Sequence, residues 1–178
     1  MCEIPFRDVF IALPVFERHD VYREHQGVWR ELVRLGMSAT HGEAAPFLFA
    51  SDGETLIHAR LPHTSLRAPL SRVPLEGRYR CRLLAIERSG TVQRALPQHE
   101  LVPFVTHLFA GHGLTVSEVE VMDMRTRQGV KGGAMNIDLP TVEVGFAGRF
   151  QSALHAQKAW TRGIGRARRF GCGMLRAA

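Results

Sequence analysis

The chain has 178 residues, of which 45% are hydrophobic and 22% charged, the balance of a folded globular protein; this excludes disordered, collagen-like and coiled-coil chains. Its 23 Lys and Arg against 17 Asp and Glu give a formal net charge of +6, and only Lys131 and Lys158 are lysines. An arginine-rich positive balance fits a nucleic-acid partner, since the planar guanidinium matches phosphate and stacks on bases, although a GC-rich genome produces the same bias.

Residues 6–15 read as a strand, with Val9, Ile11, Leu13 and Val15 alternating onto one face and Pro14 near its end. Asp20 is an N-cap for a helix whose Val21, Val28, Leu32 and Leu35 form one face, and Gly36 stops it. Phe47, Leu48 and Phe49, a Ser51-Asp52-Gly53 turn and residues 55–60 predict a hairpin, followed by a loop holding Pro62, Pro69 and Pro74. Residues 79–88 form a further strand, with Cys81, Leu83 and Ala85 on one face and Arg78, Arg80 and Arg82 on the other.

After a break at Ser89-Gly90, a helix is expected to start near Pro103, bury Val105, Leu108 and Phe109, and end at Gly111 and Gly113. Residues 116–122 predict a strand, and residues 125–135, RTRQGVKGGAM, an exposed basic loop or hairpin tip. Val142, Val144 and Phe146 mark another strand, residues 151–162 a helix, and a glycine-punctuated tail follows. The expected class is α+β, as two small units over residues 1–90 and 91–178, both of ferredoxin-like or RNA-recognition type.

Cys2, Cys81 and Cys172 are scattered as reduced thiols would be, and the nine histidines form no zinc pattern. With no G-x-S-x-G elbow and no G-x-x-x-x-G-K-[ST] loop, no metal or cofactor is expected. No apolar run is long enough to span a membrane, and MCEIPFRDVF lacks the pattern of a signal peptide, so the expected location is the cytoplasm.

Three segments suit chemistry on RNA. In DVYREHQGVW, Tyr22 and His25 are neighbours on one helix face: a histidine can move the proton of a 2′-hydroxyl, and a tyrosine can donate to phosphate or orient the nucleophile. The same wheel places His25 beside the Val28–Leu32 stripe, where a histidine at the core edge fits as well. In GIGRARRFGCG, Gly163, Gly165, Gly171 and Gly173 frame Arg166, Arg168 and Arg169, a composition suited to phosphate oxygens; a flexible basic tail is the plainer alternative. The basic stretch with Arg125, Arg127 and Lys131 suits the end or groove of a structured RNA, or is an ordinary solvated turn. No sheet segment carries the paired aromatics of a base-stacking RNA-recognition sheet.

DVYREHQGVW and GIGRARRFGCGML together, with the PFLF run after the first helix, resemble the CRISPR repeat-processing endoribonucleases of the CasE type, a Cascade subunit. The resemblance implies two tandem ferredoxin-like domains and metal-independent cutting of CRISPR precursor RNA on the 3′ side of a repeat stem-loop, leaving a 2′,3′-cyclic phosphate. It implies His25 as the catalytic histidine, Tyr22 as its partner, and residues 163–173 as the RNA-contacting loop. It also implies retention on the 3′ hairpin of the mature CRISPR RNA beside other effector-complex subunits, with target DNA met only through the complex. The chain departs from typical members in being shorter between the first hairpin and the second-domain strands, and similar enzymes serve type IV complexes. A non-catalytic hairpin-binding subunit shares every basic feature and differs only at Tyr22 and His25; a structural RNA binder explains the charge but not the two terminal motifs.

Overall fold

The computed structural model describes residues 1–37, 47–51, 56–62, 70–89 and 92–178. Strand β1 (Cys2–Ala12) leads into a single turn, α1 (Val15–Arg18), and then helix α2 (Val21–Arg34). The strand therefore begins at Cys2 and stops short of residue 15: Pro14 caps α1, and Val15 is exposed.

Helix α2 forms where its signals lie. Asp20 Oδ1 accepts the backbone N–H groups of Tyr22 at 2.8 Å and Arg23 at 3.0 Å, satisfying donors that a helix start leaves unpaired. Val21, Val28 and Leu32 are buried, while Leu35, past the last turn, is exposed. Gly36 takes a φ of 66°, which frees Met37 N–H to reach the Leu32 carbonyl and end the helix. Gly27 lets α1 lie against α2, because a Cβ there would strike the Glu17 carboxylate and Leu13.

Strands β2 (Leu48–Ala50) and β3 (Leu56–Pro62) pair as the expected hairpin; its turn residues Asp52 and Gly53 lie outside the described residues, as does Pro69. The region expected as a proline-rich loop holds β4 (Leu70–Val73), which pairs with residues 2–5 of β1. At four residues it is too short to announce itself by alternation, and Pro62 closes β3 instead of opening a loop. These four strands form one antiparallel sheet in the order β2-β3-β1-β4.

The expected strand at 79–88 is two strands, β5 (Glu76–Leu84) and β6 (Ile86–Ser89), and β6 pairs with β7 (Val92–Ala95). Helix α3 (Gln98–Ala110) begins after Pro97, earlier than expected, so Pro103 sits in its second turn. There it removes one backbone donor, and burial of Leu101, Val105 and Phe109 at spacings of four holds the helix regardless.

Of the two expectations for residues 125–135, an exposed loop or a hairpin tip, the second holds: they are the outer end of a hairpin. Strand β8 (Leu114–Lys131) runs unbroken into them and pairs with β9 (Met135–Phe150) down to Lys131 opposite Met135. Helix α4 (Ala153–Arg162), capped by the Ser152 hydroxyl, a 3-10 turn (Arg168–Phe170) and β10 (Arg176–Ala177) complete the chain.

The second sheet has the order β10-β5-β9-β8, so β5 pairs with strands from beyond residue 90. Numbered within its own sheet, each set of four antiparallel strands runs 4-1-3-2, the ferredoxin-like arrangement. The chain is thus α+β, with two ferredoxin-like units in tandem.

One apolar cluster joins Tyr79, Cys81, Leu83, Phe109, Val144 and Phe146 to Ile4 and Phe6 of β1; another packs α2 on the first sheet through Val28, Leu32, Phe49 and Ile57. Leu48 and Ala50, on the other side of β2, meet Met174 of the C-terminal segment. Among the described residues no helix is long and apolar enough to cross a membrane.

Candidate functional site

His25 lies one turn into α2, half-buried in an aromatic surround. Its ring stacks on Phe47 at 5.7 Å and Phe49 at 6.4 Å between centroids, and meets Trp29 at 6.1 Å and Phe170 at 6.5 Å edge-on. The β2 segment, α2 and the 3-10 turn thus converge on one imidazole. Its Nδ1 is buried without a hydrogen-bond partner. Burial, and next the positive charge of Arg169, hold its pKa below the ordinary histidine value, so the neutral ring dominates at neutral pH. Both readings of the sequence meet here: the histidine is at the edge of the core, and it is also an uncharged base beside a cationic loop.

Tyr22 sits one turn earlier on the same helix and is half-buried; no hydrogen bond joins it to His25 among the described residues.

The glycine loop is built from its neck outward. Gly163, Gly171 and Gly173 are buried, and Gly165 is half-buried. Ile164 N–H donates to the Gly173 carbonyl at 2.8 Å and Gly173 N–H to the Arg82 carbonyl at 2.6 Å. A side chain on Gly173 would collide with the Ile164 backbone, and one on Gly163 would come within 2.9 Å of the Gly173 carbonyl. The two Gly-apolar-Gly triplets therefore close against each other, and these backbone donors serve the neck itself. What the loop presents outward is charge: Arg166, Arg168 and Arg169 are exposed. Arg168 Nη1 donates to the Arg162 carbonyl at 2.7 Å, and the Arg169 guanidinium lies 5.5 Å from the Phe170 ring centre.

The three basic residues of the long hairpin have separate surroundings. Lys131 is exposed at its end, and Arg125 is exposed and paired with Asp123 at 2.5 Å. Arg127 instead turns inward, where Nη2 pairs with Glu24 and Nη1 donates to the Phe170 carbonyl at 2.8 Å. Glu24 is fully buried and immediately precedes His25. One guanidinium thereby ties the histidine's helix, the hairpin and the 3-10 turn together.

A second tie lies beside it. Asp20 Oδ2 accepts Val130 N–H at 3.0 Å while its other oxygen caps α2, and a side chain on Gly129 would come within 2.7 Å of Asp20.

Sequence reasoning missed Glu24 and the second role of Asp20. The signal for Glu24 was present: on a helical wheel it falls about 40° from Val28, at the edge of the Val21–Val28 stripe, and a carboxylate on a buried face needs a cation. Among the described residues no group of three His, Cys, Asp or Glu side chains is gathered to hold a metal ion.

No family model and no curated protein matches the chain. Solved structures do. One CRISPR endoribonuclease Cse3 bound to a 19-nucleotide RNA aligns at a TM-score of 0.70 with 14% identity, over 97% of this chain and 97% of that one. The CRISPR-associated protein Cas6e from Escherichia coli K-12 aligns at 0.64 with 18% identity, over 96% and 97%. A chain of a CRISPR RNA-guided surveillance complex aligns at 0.58 with 19% identity, over 96% and 97%. The tandem ferredoxin-like fold, taken across nearly the whole chain, is the fold of these proteins.

Proposed function

We propose that the chain is a CasE-like CRISPR repeat-processing endoribonuclease. It cuts precursor RNA 3′ of a repeat stem-loop and stays on the resulting hairpin as a subunit of an effector complex. The observation that carries this reading is His25: a neutral imidazole at the junction of α2 and an arginine-bearing loop, in a fold shared with RNA-bound endoribonucleases.

The reaction is an intramolecular transesterification. The neutral imidazole takes the proton of the 2′-hydroxyl, whose oxygen attacks the adjacent phosphorus. The bond to the 5′-oxygen breaks, the imidazolium returns its proton to that oxygen, and the products are a 2′,3′-cyclic phosphate and a 5′-hydroxyl. Buried Nδ1 leaves Nε2 to carry the proton. Tyr22 orients the nucleophile or donates to a phosphate oxygen, while Arg166, Arg168 and Arg169, with exposed Arg125 and Lys131, hold phosphates. The glycines 163, 165, 171 and 173 shape the loop that carries these arginines. Arg127 acts from behind, as a positioning residue. No step calls on a metal ion.

The test is end-labelled repeat RNA in EDTA: a single cut at the base of the stem, ending in a cyclic phosphate. His25→Ala should slow cutting by roughly 10²- to 10⁴-fold, the span of general acid–base catalysis, with hairpin binding retained. Tight binding by the unaltered protein with no cut would favour the hairpin-capping subunit instead.

A further inference from the structure

A cavity of about 350 Å³ opens where the α1–α2 junction meets β8, walled by Arg18, His19, Ser51, Arg125, Thr126 and Gln128. Its wall has no carboxylate and several cationic or hydroxyl side chains. Most of its polar residues already have partners: Arg125 pairs with Asp123, Arg127, which also lines it, with Glu24, and Gln128 donates to Asp138 at 2.9 Å. Arg18 does not. Its Nε is buried without a hydrogen-bond partner, and no acidic side chain pairs with it among the described residues. Arg18 is half-buried and lines the cavity, so its guanidinium stands there without a countercharge, and an anion in the cavity would supply a charge-assisted hydrogen bond.

We infer that this cavity is a phosphate site, centred on Arg18 and adjoining the His25 site through Arg127, that takes a backbone phosphate of the bound RNA. The inference rests on the proposed RNA-processing function for its occupant, and on the cavity alone for its chemistry. Val21 lines the cavity four residues before His25, a rise of roughly 6 Å along α2. An RNA strand that places one phosphate at His25 therefore reaches the cavity with a nearby one. Exposed Lys131 extends the same positive edge along β8.

The experiment uses the full chain and repeat RNA made uncuttable by a 2′-deoxy substitution at the cleavage position. Arg18→Gln should weaken binding about tenfold at low salt, as loss of a charge-assisted hydrogen bond does, and flatten the log–log salt dependence by about 0.7, the share of one single-strand phosphate. The cutting rate at saturating RNA should be unchanged, and Arg18→Lys should restore part of the affinity.

Neutral methylphosphonate linkages placed one at a time should reveal a single position that weakens the unaltered protein and leaves Arg18→Gln indifferent. Inorganic phosphate should shift the amide resonances of Arg18, His19 and Thr126. Unaltered affinity and salt slope, with no phosphate-induced shifts, would overturn the site. Shifts with phosphate but no effect of Arg18→Gln on RNA would overturn the RNA occupant and leave a free anion. An unaltered protein that ignores RNA yet shows the phosphate shifts would sink the endoribonuclease reading while keeping the cavity's chemistry.

Discussion

Strand β5 faces two chemistries at once. Tyr79, Cys81 and Leu83 are buried in the apolar interior with Phe109, Val144 and Phe146. Arg82, between them in sequence, enters a buried ion network with Glu143, which also holds Arg176, and with Asp123 at 3.1 Å. The same contrast extends across the two units. Buried Arg60 of β3 grips Asp8 at 2.7 and 2.8 Å, donates to the Leu175 carbonyl at 2.7 Å, and lies over the Trp160 ring. Arg127 of β8 grips Glu24. Apolar burial is non-directional and drives the units to fold. Buried ion pairs add little net stability but impose geometry and penalise any misplacement. Here the interior makes the units, and the charged contacts set where α2 and its histidine stand against the second unit.

The comparison is broken hardest by cutting each side in turn. Phe109→Ala should cost about 3–5 kcal/mol, read as a lower thermal midpoint, with cleavage by the still-folded fraction unchanged. Arg127→Ala should cost a similar roughly 3–5 kcal/mol by stranding buried Glu24, and here cleavage should fall further than RNA binding. The paired change Glu24→Leu with Arg127→Met should recover most of the midpoint but not the cleavage rate, because the Phe170 carbonyl remains untied. Full recovery of both would show that the pair is only packing.

A smaller effect sharpens the electrostatic side. Burial raises the Asp8 pKa, but the hydrogen bonds of His58 and Arg60 outweigh it and bring the carboxyl down to about 2. Its folded pKa lies below the unfolded value, so its stabilising contribution is complete above about pH 4 and is lost as pH falls through about 2. Denaturant unfolding across that window should show the loss in the unaltered protein and none in Asp8→Asn. The smallest effect is on the surface: Arg168→Ala with Arg169→Ala should leave the midpoint in place, weaken RNA binding and flatten its salt slope. An unchanged slope would remove both from the interface.

What the sequence disclosed follows from range. Helix α2 was legible because cap, stripe and stop all lie within residues 20–36, and the buried strand at Val142, Val144 and Phe146 because its alternation is local. Strand β4 was invisible because its partner in β1 is about seventy positions away. Residues 125–131 read as a loop or hairpin tip, and not as a long strand, because nothing in them alternates toward a core. Their strand is held by Glu24, 103 residues distant from Arg127, and by Asp20, 110 residues distant from Val130. In the site, His25 and the loop arginines stood out by residue type. Phe47, Phe49 and Phe170, which enclose the imidazole, come together only through tertiary packing.

The β8–β9 hairpin is anchored at one end and unhindered at the other. Space around its tip glycines, Gly132 and Gly133, is empty to beyond 4 Å, whereas Gly129 is pressed against the start of α2. Space is thus open at the tip, where the positive φ of Gly132 (62°) and Gly133 (75°) still favours glycine in the turn itself, and closed at the root. A lineage can refit the outermost rungs to a new partner while the histidine's registration stays as it was, and an engineer can graft there on the same terms.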